Sequence, residues 1–189
     1  MIKDTIHELD RLLRIHNPVN YNRLQSPLLD RQIESYLQEL GINDQDVFEL
    51  YRWKNGVFPA MENRAMLFES RVSLLSLESV LSCKDMYDDQ FDEDHIMLFA
   101  SPFDTGFLFN KGLEKNYGKL HLYSVPLLSI ENPYSYYDSI LTMLESNIQA
   151  YEAGFFQYNK DDDILNYKFG DILNILKSLN NESEYWDQF

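Results

Sequence analysis

The chain is predicted to fold as α+β with a mostly antiparallel sheet. Three features predict it. Apolar residues recur at helical spacing from Ile2 to Tyr51, give way to strand-like runs between Ile96 and Ser124, and return to helical spacing after Pro133. The strand-like runs cluster instead of alternating with helices, which indicates α+β and not a parallel doubly wound fold. From Lys119 to Ser124, Leu120 and Leu122 alternate with Lys119, His121 and Tyr123. That pattern fits a sheet with one face on the core and the other toward solvent or a partner.

In chain order, Ile2, Ile6, Leu9 and Leu13 predict a first helix over residues 3 to 15, followed by a polar loop around Pro18. Ser26-Pro27 reads as a helix start, with Leu29, Ile33, Tyr36, Leu37 and Leu40 facing inward and Gly41 as the stop. A short helix over residues 44 to 55 follows, capped by Asn43, with Val47, Leu50 and Tyr51 on its apolar face and Gly56 beyond its end. Phe48 and Trp53 add large surfaces that need something to pack on.

Ala65–Phe68 and Arg71–Leu75 read as extended, and Ser76 caps a helix through Leu77, Val80 and Leu81. Ile96–Ala100 and Phe107–Phe109 are buried strands joined by the turn SPFDTG, and Pro126 marks an edge or a connection. Pro133 and Ser135 open a long helix whose stripe is Tyr137, Ile140, Leu141, Leu144, Ile148 and Tyr151, ending at Gly154. Asp161, Asp162 and Asp163 are expected at the positive end of a last helix faced by Leu165, Phe169, Ile172, Leu173, Leu176 and Leu179. The terminal NNESEYWDQF is expected to be loosely ordered.

With 189 residues, 44% of them apolar, the chain can bury one sizeable core. One domain, 1–189, is expected. No run approaches the length of a membrane span. The first fifteen residues place acids where a secretory signal has a continuous apolar stretch. The lone Cys83 builds neither a disulfide framework nor a zinc site, and suits a reducing cytoplasm.

The formal net charge is −15. Phosphate backbones would be repelled, which argues against direct nucleic-acid binding. The same field would attract a basic partner, or simply keep the protein soluble. Charge concentrates in Asp85, Asp88, Asp89, Asp92, Glu93 and Asp94, six carboxylates in ten residues with no base among them.

Motifs for chemistry are sparse. Asp92, Glu93, Asp94 and His95 form an oxygen-rich cluster that a metal-dependent hydrolase could use, yet the spacing and central glycine of a calcium loop are missing. A solvated acidic loop explains the cluster equally simply. His7, His16, His95 and His121 are scattered, and Cys83, between Leu81 and Met86 on a helix, reads as a buried inert thiol. No phosphate loop, nucleophile elbow or dinucleotide fingerprint occurs. The expectation is a chain without catalysis, cofactor or bound metal. Aromatic residues exceed what one helix face requires. Tyr137 and Tyr151 lie on the stripe as core, and Tyr136 and Tyr158 are candidate interface anchors.

The stretch Phe48–Gly56, FELYRWKNG, resembles the signature of the SUKH superfamily, the Smi/Knr-like proteins. Around it, in order, stand LLDRQIESYLQELG over Leu28–Gly41, the Ser76-Leu77-Glu78 step, the strand pair around Asp104–Gly106, the strand Lys119–Ser124 and a closing helix over Ser135–Tyr151. The resemblance spans residues 26–152, leaving 1–25 as an added helix and loop and 155–189 as a helical extension. It implies a twisted sheet with helices packed against it. Bacterial members are thought to be immunity proteins that bind and neutralise toxins, and fungal members are regulatory scaffolds. Neither role needs catalysis. A cognate toxin that is a nuclease would be basic, because it holds phosphates, and an acidic inhibitor would complement it. The resemblance therefore implies a cytoplasmic immunity protein with a basic toxin as partner, and the residue pattern offers the 85–94 acids with Tyr136 and Tyr158 as its candidate contacts. The alternative it leaves open is a regulatory scaffold binding host proteins.

Overall fold

The computed structural model describes residues 2–57, 65–87, 93–101, 105–112, 116–124 and 134–188. It is α+β. Helices α1 (Ile2–His16), α2 (Pro18–Tyr21), α3 (Asp30–Leu40) and α4 (Gln45–Trp53) lead. A 3-10 turn (Glu69–Arg71), β1 (Ser73–Leu74) and α5 (Leu77–Tyr87) come next, then β2 (His95–Ala100), β3 (Thr105–Asn110), β4 (Leu120–Ser124) and β5 (Ser135–Tyr137). Helix α6 (Ile140–Glu152), a hairpin of β6 (Gln157–Asn159) and β7 (Ile164–Asn166), α7 (Phe169–Leu179) and a terminal 3-10 turn (Glu184–Gln188) complete the chain. The main sheet runs β1-β2-β3-β4-β5, each neighbour antiparallel. The turn around Pro102–Asp104 and the segment around Pro126 lie outside the described residues.

Successive strand residues point to opposite faces. Phe107, Leu108 and Phe109 are nonetheless 0%, 0% and 1% exposed. The sheet is therefore covered on both faces, which corrects the one-sided reading of Lys119–Ser124: His121 and Tyr123 are buried alongside Leu120. Burial of both faces draws on layers distant in sequence, which alternation within five residues does not encode.

The stretch Asn43–Gly56 forms a structural junction. The cap of α4 is Asp44, one residue later than expected, and its carboxylate accepts from the backbone N–H of Asp46 and Val47 at 2.9 and 3.0 Å. The Tyr51 hydroxyl is buried and donates to the carbonyl of Leu75 at 3.0 Å. Asn55 is 2% exposed. Its side chain accepts from the Leu77 N–H at the start of α5 and donates to Gln25 and Glu78. Gly56 takes φ +66, and a Cβ there would stand 2.5 Å from the carbonyl oxygen of Leu74. Only glycine combines that left-handed backbone with so close an approach.

Other boundaries move. Ser26-Pro27 does not open α3, whose first turn is closed by Leu29 and Gln32, and Leu29 points outward. Ala65–Phe68 forms no strand. Ser135–Tyr137 is strand β5, and α6 starts only at Ile140, capped by the Ser139 hydroxyl. Asp161–Asp163 occupy the β6–β7 turn instead of a helix start. The terminal segment is docked: Trp186 is 5% exposed and its Nε1–H donates to the Tyr136 carbonyl at 2.8 Å.

Candidate partner-binding groove

Between α3 and α4 lies an open groove of about 580 Å³. Its floor is Leu37, Ile42 and the half-buried Phe48, and its rim includes the carboxylates of Glu34 and Asp44. Among the described residues that line it, none is basic. The turn that sets its width follows from local chemistry. Gly41 ends α3 with φ +69, the Ile42 N–H donates back to Leu37 at 2.8 Å, and Asp44 starts α4 three residues later. From outside, the Tyr117 hydroxyl donates to the Asn43 carbonyl at 2.6 Å.

Negative charge is dense at this end of α4. Burial, reinforced by the Asp44 and Glu49 carboxylates, pushes the Asp46 carboxyl above the usual carboxylate range. Glu49, 7% exposed, is held by Lys3 at 3.2 Å and Arg52 at 3.8 Å. The groove thus combines an apolar floor with an acidic rim, the pairing that protein recognition uses for burial and for charge steering.

Of the acidic run, Asp88, Asp89 and Asp92 lie outside the described residues, and so does the side chain of Asp85 on α5. Glu93 and Asp94 are exposed at the start of β2. The Asp94 carbonyl accepts from the Lys111 N–H at 2.7 Å, and the Lys111 ammonium is 3.3 Å from where a Cβ on Gly41 would sit. The two tyrosine anchors fare differently from expectation. Tyr136 is 2% exposed, enclosed by Tyr137, Tyr185 and Trp186, so it is core and not a surface anchor. Its segment is strand β5 and not the expected helix, and the docked terminus covers it. Tyr158 is half-buried, with its hydroxyl committed to Asp163 at 2.6 Å. Glu34 and Asp44 carry no sequence signal of a site. Phe48 does, as a large apolar side chain off the stripe of α4.

Chemistry elsewhere is sparse among the described residues. No group of three or more His, Cys, Asp or Glu is placed to hold a metal ion, and no helix is long and apolar enough to cross a membrane. His95 and His121 meet edge to face with ring centroids 4.8 Å apart, and the His95 Nε2 lies 3.2 Å from the Asn110 amide. Burial pushes the Cys83 thiol up, away from the reactive thiolate.

The most unusual ionisable group is internal. Glu69 is 3% exposed, and its carboxylate accepts hydrogen bonds from the Ser70, Tyr137 and Tyr167 hydroxyls at 2.8, 3.3 and 3.2 Å. Burial raises its pKa despite those bonds. The next two residues, Ser70 and Arg71, have φ +60 and +57, conformations that cost non-glycine residues about 1–3 kcal/mol each.

A scan against protein-family models finds none that matches the chain, and a search of curated proteins finds no similar one.

Proposed function

We propose that this chain is a non-catalytic cytoplasmic binding protein that neutralises a basic protein toxin, an immunity protein of the SUKH type. The observation that carries this reading is the α3–α4 groove, whose apolar floor is bordered by Glu34 and Asp44, with no basic residue among the described residues that line it. Protein recognition needs an anchor pocket and complementary charge, and this surface offers both. Glu93 and Asp94 are exposed at the start of β2 and available for the same steering.

The test is co-expression with the product of the gene immediately upstream. A stable complex is expected, together with relief of that protein's toxicity. Glu34→Lys should lower the association rate severalfold at low salt and less at high salt, because screening removes steering. Phe48→Ala should speed dissociation. Absence of any complex sinks the toxin reading. A complex indifferent to both substitutions moves the interface away from the groove. A stable complex with a host protein in place of a toxin would instead favour a regulatory scaffold.

A further inference from the structure

We propose that Glu69 and Tyr167 form a protonation-sensitive latch that holds the β6–β7 hairpin closed over the Glu69–Arg71 turn. Four contacts build it. The Tyr167 hydroxyl donates to Glu69 Oε1 at 3.2 Å and accepts from the Ser70 N–H at 2.8 Å. The Arg71 Nε–H donates to the Leu165 carbonyl on β7 at 3.2 Å, and its guanidinium lies 6.0 Å from the Tyr167 ring centroid. The hairpin thus grips the two residues whose left-handed backbone is least favourable. On the other side, the Glu69 N–H donates to Asn147 of α6 at 2.7 Å and its carboxylate accepts from Tyr137 of β5. The turn is anchored to the core, and the hairpin reaches that core through Leu165, 0% exposed, so opening the latch also lifts Leu165.

Two chain junctions bound the hairpin. It hangs between Gly154, at φ +71 with open space where a Cβ would stand, and Lys168 at the start of α7. Its distal turn is tied down by the partly exposed Arg23–Asp163 pair at 2.8 Å. Opening would uncover the Glu69 carboxylate and let Ser70 and Arg71 relax.

The groups that face Glu69 are Ser70 and Arg71 from its own turn, Tyr136 and Tyr137 from β5, Asn147 from α6, Tyr167 after β7, and Tyr185 from the terminal turn. Burial raises all four tyrosines, so none ionises near neutrality, and Arg71 carries a fixed charge. Glu69 is the group in this cluster that titrates. Closure favours its protonated form, because burial outweighs the hydroxyl bonds. A carboxyl raised in the closed state leaves closure strongest below its open-state pKa. Closure weakens as pH rises from there through the closed-state pKa.

Amide hydrogen exchange on the full chain tests this, each residue normalised to its intrinsic rate at the same pH. Protection of Gln157–Asn166, relative to β3, should fall between pH 5 and 8, by about tenfold for each unit of pKa elevation. In Glu69→Gln the ratio should be flat and at least as high at pH 8. Tyr167→Phe keeps the ring, and should lower hairpin protection at every pH while leaving β3 unchanged. A pH-independent hairpin in the native chain overturns the proposal without any variant. So does a Glu69→Gln hairpin that tracks the native one, or a Tyr167→Phe loss shared equally by β3.

Discussion

Two carboxylates organise two regions of this molecule, and their ionisation moves in opposite directions. Asp10 on α1 accepts from the Tyr21 hydroxyl, the Trp53 indole N–H and the Arg14 guanidinium at 2.6, 2.7 and 2.6 Å. Its side chain is 18% exposed. Burial works to raise its pKa, but the bonds from Arg14, Trp53 and Tyr21 outweigh it and the net shift is downward. Glu69 likewise accepts three hydrogen bonds, yet its donors are neutral hydroxyls and its shift is upward. Hydrogen bonds alone do not decide the direction. A neighbouring cation and residual contact with water do. One region is held by a charged surface junction, the other by a buried polar one.

The largest expected effect falls on the Glu69 side. Trp186 fills the space beside Tyr136, Tyr185 and Phe169, at ring-centroid distances of 4.6, 4.8 and 6.3 Å. It also satisfies the Tyr136 carbonyl. Trp186→Ala removes a buried aromatic and orphans that carbonyl, so urea unfolding should show a loss of about 3–5 kcal/mol. A loss below about 1 kcal/mol would mean that the terminus only rests on β5. The two regions would then differ less in dependence on long-range packing than their geometry implies.

The same contrast explains what was legible in the sequence. Helix α1, the stop at Gly41, the Ser76 start of α5 and the strands around Ile96 and Phe107 were all readable, because each depends on signals within a few residues. The Asp44 cap missed by one residue for the same reason: Asn43 and Asp44 are both good caps, and spacing does not choose between them. The C-terminal region departs from its local sequence signals where its partners are distant. Tyr134–Tyr137 carries strand-forming aromatics, yet Pro133 and Ser135 looked like a helix start. The strand is settled by β4 and by Trp186, fifty residues on. Asp161–Asp163 looked like helix N-terminal acids. Instead the Asp161 N–H and Asp162 carboxylate bond Asn159, and Asp163 bonds Tyr158 and Arg23, the contacts of a hairpin turn. Glu69 carried no sequence signal, since nothing near it announces a buried carboxylate. The groove was legible only through Phe48.

A smaller effect is expected on the Asp10 side, and it should carry the opposite pH signature. Asp10→Asn keeps the shape but weakens the acceptor for Tyr21 and removes the charge that Arg14 faces. The Tyr21 hydroxyl, pushed up to about 12 by burial and by Asp10, should titrate lower in the variant. A depressed carboxyl contributes stability that is present above its unfolded pKa and lost as pH falls through the folded one. The native chain should therefore lose this contribution only in acid, where Asp10→Asn should be flat. At pH 7 the variant should be less stable by about 1–2 kcal/mol. Equal acid sensitivity of both proteins in thermal melts from pH 3 to 7 would remove Asp10 as the cause.

The smallest effect concerns the tie between the two regions. Arg23, in the loop after α2, bonds Asn20 at 2.8 Å and reaches Asp163 on the hairpin at 2.8 Å. Their side chains are 30% and 41% exposed, so solvent screens the pair, and Arg23→Ala should cost only about 0.2–1 kcal/mol overall. The useful quantity is where the loss appears. If the hairpin is held mainly by Glu69 and Tyr167, Arg23→Ala should leave exchange around Glu69–Arg71 unchanged and raise it only near Asn159–Asp163. If the loss instead spreads to the Glu69 turn, the surface pair and the buried cluster act as one unit. Glu69→Gln and Arg23→Ala would then combine non-additively in a double-mutant cycle. Strict additivity would establish that the charged surface tie and the buried polar latch are separate devices joined only by the hairpin between them.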